Sequence, residues 1–476
     1  MMGCVATRMA WAILAGAVLY GMAYCTAPPA SGPMVSKMQD LPPKPAPEVE
    51  EPSLAGVETH NCPRPFLERF DLPAASGGPL RLELISCGAF PAYSRNPGVL
   101  SPDGEKLARW SDDREAGLEL ARTTGGQLLT FQNRLTFRNF ASGRQDDPTE
   151  GFAWTPGSDG FWTVRQDVLR TSGFAVSDLR PIRVGLDGQV HELPTLRDAG
   201  RLDAIRWVGP NGLALAQFWT RGGRYRPDQP NSEPTLATVD AARGRVRHAI
   251  RARDLPPLRQ RAEAGDLHVN DAAATVMPDG RVRSVVEFAA WREPPAGSQS
   301  APVVQPGYVM TWTEGAAPRL RALRERSRSA ISMAMSPDGS RLLVLRRLQP
   351  EGVIIRERPR PAPPGPPPTP VDGVFAELID LSSGRQVWRL RARVEANWNQ
   401  RPQPAISPDG RMALLNLPPD GRHQIFALVG MRDGAILHRF SVTQIGSLPA
   451  AFGFSPDGRR IWVTVAGTLF RYRLDS

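Results

Sequence analysis

Lysine is nearly missing from this chain. Lys37, Lys44 and Lys106 are its only occurrences, so the formal charge of +10 is carried by arginine. The arginines are dispersed, and the densest run, Arg319 to Arg328, is interrupted by Glu325. A nucleic-acid footprint needs basic charge clustered on one face, so the composition excludes that partner class. Arginine in place of lysine, with heavy use of alanine, proline and glycine, is instead the imprint of a GC-rich bacterial genome.

Long helices are also excluded. With 48 prolines and 44 glycines in 476 residues, few stretches of ten or more lack a helix breaker. Such punctuation predicts many short strands joined by tight turns.

Cysteine is sparse, at four residues. Cys4 and Cys25 lie near the N-terminus, leaving Cys62 and Cys87. These two lack the spacing and number of a zinc site. In an oxidising compartment they are the candidate disulfide, tying an N-terminal arm to the first strand; otherwise they are two buried thiols.

The six histidines are scattered without ligand spacing. No GxSxG, HExxH, EF-hand or phosphate-loop pattern occurs. The sequence therefore predicts no catalytic residue, no metal and no cofactor.

The N-terminus carries positive charge at Arg8 and then the uncharged apolar run Met9 to Tyr24. Charge followed by an apolar run is the order of an export signal. Its length suits either a cleaved peptide or a retained anchor, and positive-inside orientation sends the rest outward. Met22-Ala23-Tyr24-Cys25 resembles a lipoprotein box, although Tyr24 departs from that pattern. Residues 27–60, including LPPKPAPEVEEP, read as an extended proline-rich spacer. The expected organisation is a signal or anchor over 1–26, a spacer over 27–60 and one domain over 61–476. That domain has a lead-in at 61–79 and blades from 80.

Internal repeats decide the fold. Ser101-Pro102-Asp103-Gly104 recurs at Ser336, Ser407 and Ser455. Looser copies are Met277-Pro278-Asp279-Gly280, Gly209-Pro210-Asn211-Gly212 and Thr155 to Gly160. Proline presets the second turn position, serine caps the turn, aspartate suits the third position and glycine accepts positive φ. Strand-like runs flank each copy, as in Arg341 to Leu345 and Arg460 to Val465, making a hairpin.

A second turn, such as Asp380 to Gly384, Asp240 to Gly244 or Asp433-Gly434, follows six of the hairpins. Two hairpins make a four-stranded propeller blade. The chain stops after the third strand of the last repeat, and Leu80 to Ile85 is the donor of its fourth. The expectation is an all-β, seven-bladed β-propeller closed by an N-terminal strand, which removes open sheet edges.

At Phe454-Ser455-Pro456-Asp457-Gly458-Arg459-Arg460-Ile461-Trp462 the chain resembles the WD-like propeller repeat of TolB and of prolyl-oligopeptidase propeller domains. The resemblance spans roughly 78–476 and implies a cell-envelope propeller. The α/β domain of the former and the hydrolase domain of the latter have no counterpart here. Asp380 to Trp388 loosely resembles the tryptophan-docking repeat of quinoproteins but occurs once, which favours a structural Trp388.

Function is then sought in the loops. Those joining the second and third strands are long in three consecutive blades: Thr220 to Glu233, Arg292 to Gln305, and Gln349 to Asp372 with its polyproline segment. Arg221, Arg224, Tyr225, Arg226, Trp291 and Arg292 are the candidate partner-binding residues, because arginine and aromatic side chains dominate interface hot spots. The reading is a non-catalytic protein-binding or scaffold module held at the periplasmic or cell-envelope face, with an envelope protein as partner. The alternative is a propeller enzyme of lyase, lactonase or quinoprotein type with a central-channel site.

Overall fold

The computed structural model describes residues 48–49, 58–60, 81–89, 99–101, 103, 105–110, 118–122, 128–131, 153–155, 157–171, 174–187, 189–192, 201–209, 212–219, 234–264, 267–292, 303–322, 330–346, 371–394, 404–420, 423–443, 450–465 and 468–475. Almost all of them are strand. The first elements are β1 (Glu48–Val49), β2 (Glu58–His60) and β3 (Arg81–Ala89). Blade 1 is β4 (Val99–Leu100), β5 (Lys106–Trp110), β6 (Leu118–Arg122) and β7 (Leu128–Phe131). Blade 2 is β8 (Ala153–Trp154), β9 (Gly160–Thr171), β10 (Phe174–Gly185) and β11 (Val190–Glu192).

Blade 3 is β12 (Arg201–Val208), β13 (Leu213–Trp219), β14 (Pro234–Asp240) and β15 (Arg245–Arg251). A nine-residue helix, α1 (Pro256–Ala264), leads into blade 4 and opens on prolines that suit a first helical turn. Blade 4 comprises β16 (Leu267–Val276), β17 (Val282–Arg292), β18 (Val303–Thr313) and β19 (Arg319–Ala322). Blade 5 holds β20 (Ala330–Met335), β21 (Arg341–Arg346), β22 (Val371–Asp380) and β23 (Gln386–Val394). Blade 6 holds β24 (Ala405–Ile406), β25 (Met412–Asp420), β26 (His423–Gly430) and β27 (Ile436–Thr443).

The expected seven-bladed propeller is corrected to six blades, each cut from one continuous stretch of chain. The reason is that three further strands, β28 (Ala450–Phe454), β29 (Arg460–Val465) and β30 (Thr468–Asp475), have no fourth neighbour from their own stretch. These three cannot make a blade alone. They form a composite sheet with β3, which pairs antiparallel with β30 from Arg81↔Asp475 to Ala89↔Thr468. This sheet packs against blade 1 through Leu100, Leu107 and Leu469.

Two pieces of the proline-rich segment also join sheets. Glu48 and Val49 pair in parallel with Arg389 and Leu390 of β23. Glu58, Thr59 and His60 do the same with Phe440, Ser441 and Val442 of β27. Blades 5 and 6 thereby become five-stranded.

The core lies between neighbouring sheets. Strands such as Arg341–Arg346 are buried on both faces, so their apolar runs are continuous. Leu343, Leu345, Phe375 and Trp388 of blade 5 meet Leu415, Leu417 and Ile425 of blade 6. Leu215 and Leu236 of blade 3 meet Val286, Phe288 and Met310 of blade 4, with Leu258 of α1 added to that cluster. Each such side chain contributes about 1.5–3 kcal/mol by burial.

The repeated turns form one face of the molecule. In each SPDG copy the serine hydroxyl donates to the aspartate, at 2.5 Å in Ser101 and 2.6 Å in Ser336 and Ser407. The same hydroxyl accepts a backbone N–H five residues on, at 2.9 Å, from Lys106, Arg341, Met412 and Arg460. Glycine takes the left-handed position, with φ of 67° at Gly339 and 69° at Gly410.

The copy in blade 2 is offset. Ser158 itself holds the left-handed position at φ 55°, and its N–H donates to Thr155 O at 2.9 Å. Its hydroxyl then accepts from the backbone N–H of Asp103 at 3.0 Å, joining blades 1 and 2. Second turns lock onto first turns: Leu381 N–H reaches Ser340 O, Met431 N–H reaches Arg411 O and Leu474 N–H reaches Arg459 O, all at 2.8 Å.

Candidate functional site

The strand ends that flank the three long connections lie on the side away from these turns, because β-strands two and three of a blade meet opposite the SPDG hairpin. They occupy residues 220–233, 293–302 and 347–370, in blades 3, 4 and 5. The comparable connections in blades 2 and 6 are only 172–173 and 421–422. Arg221, Arg224, Tyr225 and Arg226 lie outside the described residues. Trp291 and Arg292 form the last two positions of β17, paired with Val304 and Val303 of β18, at the mouth of the 293–302 connection. Of the disulfide pair, Cys62 lies outside the described residues, while Cys87 stands in β3 opposite Phe470.

Part-buried polar networks, which the sequence reading missed, support these same blades. Arg206 of β12 donates through Nε and Nη2 to Gln217 Oε1 at 3.0 and 2.8 Å, and through Nη2 to Val269 O at 3.2 Å. One guanidinium therefore spans blades 3 and 4. A register shift between Ile205 and Trp207 sets Arg206 outside the regular ladder, and another between Val269 and Asp271 does the same for Asn270. Asn270 uses that freedom to donate to Glu287 Oε2 at 3.2 Å, and Glu287 is only 2% exposed. Bulges of this kind re-aim side chains next to functional regions.

In blade 5 the last residue of β21, Arg346, pairs with Glu377, with Nε at 2.8 Å from Oε1. Gln386 donates to the other oxygen of Glu377 at 3.0 Å. Arg346 thus clamps the root of the 347–370 connection. A buried charge is expensive unless paired, so networks of this kind rigidify the strands that carry them. The signal was present as lone polar residues in apolar strands: Gln217 in LALAQFW and Glu287 in VRSVVEFAAWR. Their partners, Arg206 and Asn270, lie on the neighbouring strand of the same hairpin, and Arg206 reaches 63 residues further to Val269 O.

Among the described residues, no group of His, Cys, Asp and Glu is arranged to hold a metal ion. No helix of the described residues is long and apolar enough to cross a membrane, and Met9 to Tyr24 lies outside them. Trp388 sits fully buried between blades 5 and 6, its Nε1 donating to Met431 O at 3.4 Å.

Asp103, Asp338 and Asp380, all in turns, are held as anions. In Asp380 the Ser382 hydroxyl and the Ser383 backbone N–H lower the carboxyl to about 2. At Asp103 and Asp338, burial works the other way but is outweighed by hydrogen bonds from Ser101 and Lys106, and from Ser336 and Ser340.

No family model matches the chain, and no curated protein matches its sequence. Among solved structures it is similar to the propeller of Dos1, at 11% identity and a TM-score of 0.42, with 82% of this chain and 95% of that chain covered. The class of protein is that of the β-propellers, on the strand order itself.

Proposed function

We propose that this chain is a non-catalytic, protein-binding propeller, exported and held at the cell envelope by its N-terminal segment. The observation that carries the binding reading is the gathering of the three long connections on consecutive blades, braced by the Arg206 and Arg346 networks. Propellers place recognition in loops carried by a rigid frame. The partner surface is assigned to Arg221, Arg224, Tyr225, Arg226, Trp291 and Arg292, with an envelope protein as the partner. The charged-then-apolar N-terminus and the TolB-like repeat support the envelope location.

Recovery of co-purifying proteins from gently solubilised native membranes tests the surface. A triple variant, Arg224→Ala with Tyr225→Ala and Trp291→Ala, is expected to lose its partner while retaining the wild-type unfolding midpoint. Equal recovery by variant and wild type overturns the assignment.

A further inference from the structure

On the opposite face, beside the turns of blade 3, lies a half-open depression of about 560 Å³. Leu213, Asp240, Ala242, Arg243, Arg245 and Arg247 line it. Three arginines and one carboxylate thus line it, and that carboxylate is already engaged. Asp240 is 5% exposed, and its oxygens accept the Arg243 side chain at 2.8 Å and the Arg243 backbone N–H at 3.1 Å.

Arg247 is fixed from below. Its Nη2 lies 3.0 Å from Glu314 Oε2, on a side chain that is 1% exposed and also accepts the Val282 N–H at 2.9 Å. Arg247 further leans on Gly280 O at 3.4 Å. Two arginines are therefore oriented by buried carboxylates, and Arg245 stands exposed between them in chain order.

Three arginines are thus set against two carboxylates, Asp240 and Glu314, leaving an excess positive charge at Arg245. Five of the first-type turns place aspartate third: Asp103, Asp279, Asp338, Asp409 and Asp457. Asp279 and Asp409 pair with Arg281 and Arg411 there. Blade 3 has Asn211 at that position instead, so its turn contributes no carboxylate. Pre-oriented guanidinium forks suit a doubly charged oxyanion, whose several oxygens accept more than one fork at once.

We propose that the Arg243–Arg245–Arg247 depression binds a phosphoryl group, carried either on a small soluble molecule or on a lipid headgroup. The site is independent of the loop-face reading above and lies on the other end of the blade.

Calorimetry on the full chain in non-ionic detergent tests it with two probes, inorganic pyrophosphate and dihexanoyl phosphatidate below its micelle concentration. Saturable binding is expected, weakened about tenfold or more by Arg245→Ala, since a hydrogen bond to a charged group is worth about 1.5–3 kcal/mol. Arg319→Ala, an exposed arginine outside the depression, is expected to leave it unchanged. Pyrophosphate binding points to the soluble source; phosphatidate binding without it points to the headgroup. Binding of neither probe, or binding that Arg245→Ala leaves intact, overturns the proposal. Unchanged unfolding midpoints for both variants exclude a folding defect.

Discussion

Blades 5 and 6 protect their outer edges differently from blades 3 and 4. On β23 and β27 a short parallel strand from the N-terminal segment takes up the open backbone groups. On β15 and β19, among the described residues, no further strand is paired, and the edges carry Arg245, Arg251, Arg319 and Arg321, all exposed. The contrast reaches the bulge that each outer strand makes near its turn. The extra residue is Val387 in blade 5 and Leu437 in blade 6, both packed against core, but Arg247 in blade 3. Covering and charging are two physical answers to one hazard, the unpaired edge that invites aggregation. The covered strand β23 also carries arginine, at Arg389, Arg391 and Arg393, so the contrast lies in the added strand and in the bulge residue.

The largest effect is expected at the covered pair. Trp388→Ala empties the space between blades 5 and 6 and should cost about 3–5 kcal/mol in urea unfolding. A loss under about 1 kcal/mol would break the claim that these blades share one tight core.

Two glycines sharpen the comparison. Gly434, at φ 77°, would bring an added Cβ to 2.8 Å from the Trp388 ring, whereas Gly315, at φ 75°, has open space. Gly315→Ala should therefore show only the backbone cost of about 1–2 kcal/mol, and Gly434→Ala clearly more. Equal costs would mean that the ring moves aside freely.

Smaller still is the effect of uncovering the edges. Val49→Pro with Thr59→Pro removes donors from the added strands, and amide exchange should accelerate in β23 and β27 while β15 stays unchanged. Exchange rising equally in β15 would show that coverage is not local.

The smallest effect is acidic. Because Asp380 is held at about 2 when folded, below its ordinary 3.8, its contribution is present above about pH 4 and lost as pH falls towards 2. Ser382→Ala should move its titration, followed by carboxyl NMR, back towards 3.8.

The blades were legible because the SPDG tetrapeptide states its own geometry: a fixed φ, a capping hydroxyl and a left-handed glycine. Where the chemistry was looser, so was the reading. Thr155 to Gly160 reads as a looser copy, yet Ser158 fills the glycine position there. The count of blades differs for another reason: every copy of the turn counts as a blade in the sequence, whereas the last copy lies in a sheet completed by β3, a completion that the alternation of Leu80 to Ile85 did signal. β1 and β2 were invisible because two or three residues among prolines carry no alternation, and only the partner strands define them. The arginine depression was written in Arg243, Arg245 and Arg247, but the bulge at Arg247 breaks the alternation that would have placed them. Dispersed charge along the whole chain masked it.

The three N-terminal strands meet successive sheets in chain order: blade 5, blade 6, then the composite sheet. A pull on the chain ahead of Glu48 is therefore felt first by β1, whose two paired residues give way before anything else. β2 yields next, and only then does tension arrive at the nine residues of β3. The strand that ties the end of the chain to its beginning is thus shielded by two weaker pairings that act as mechanical fuses, and each of them can re-form once the pull is released.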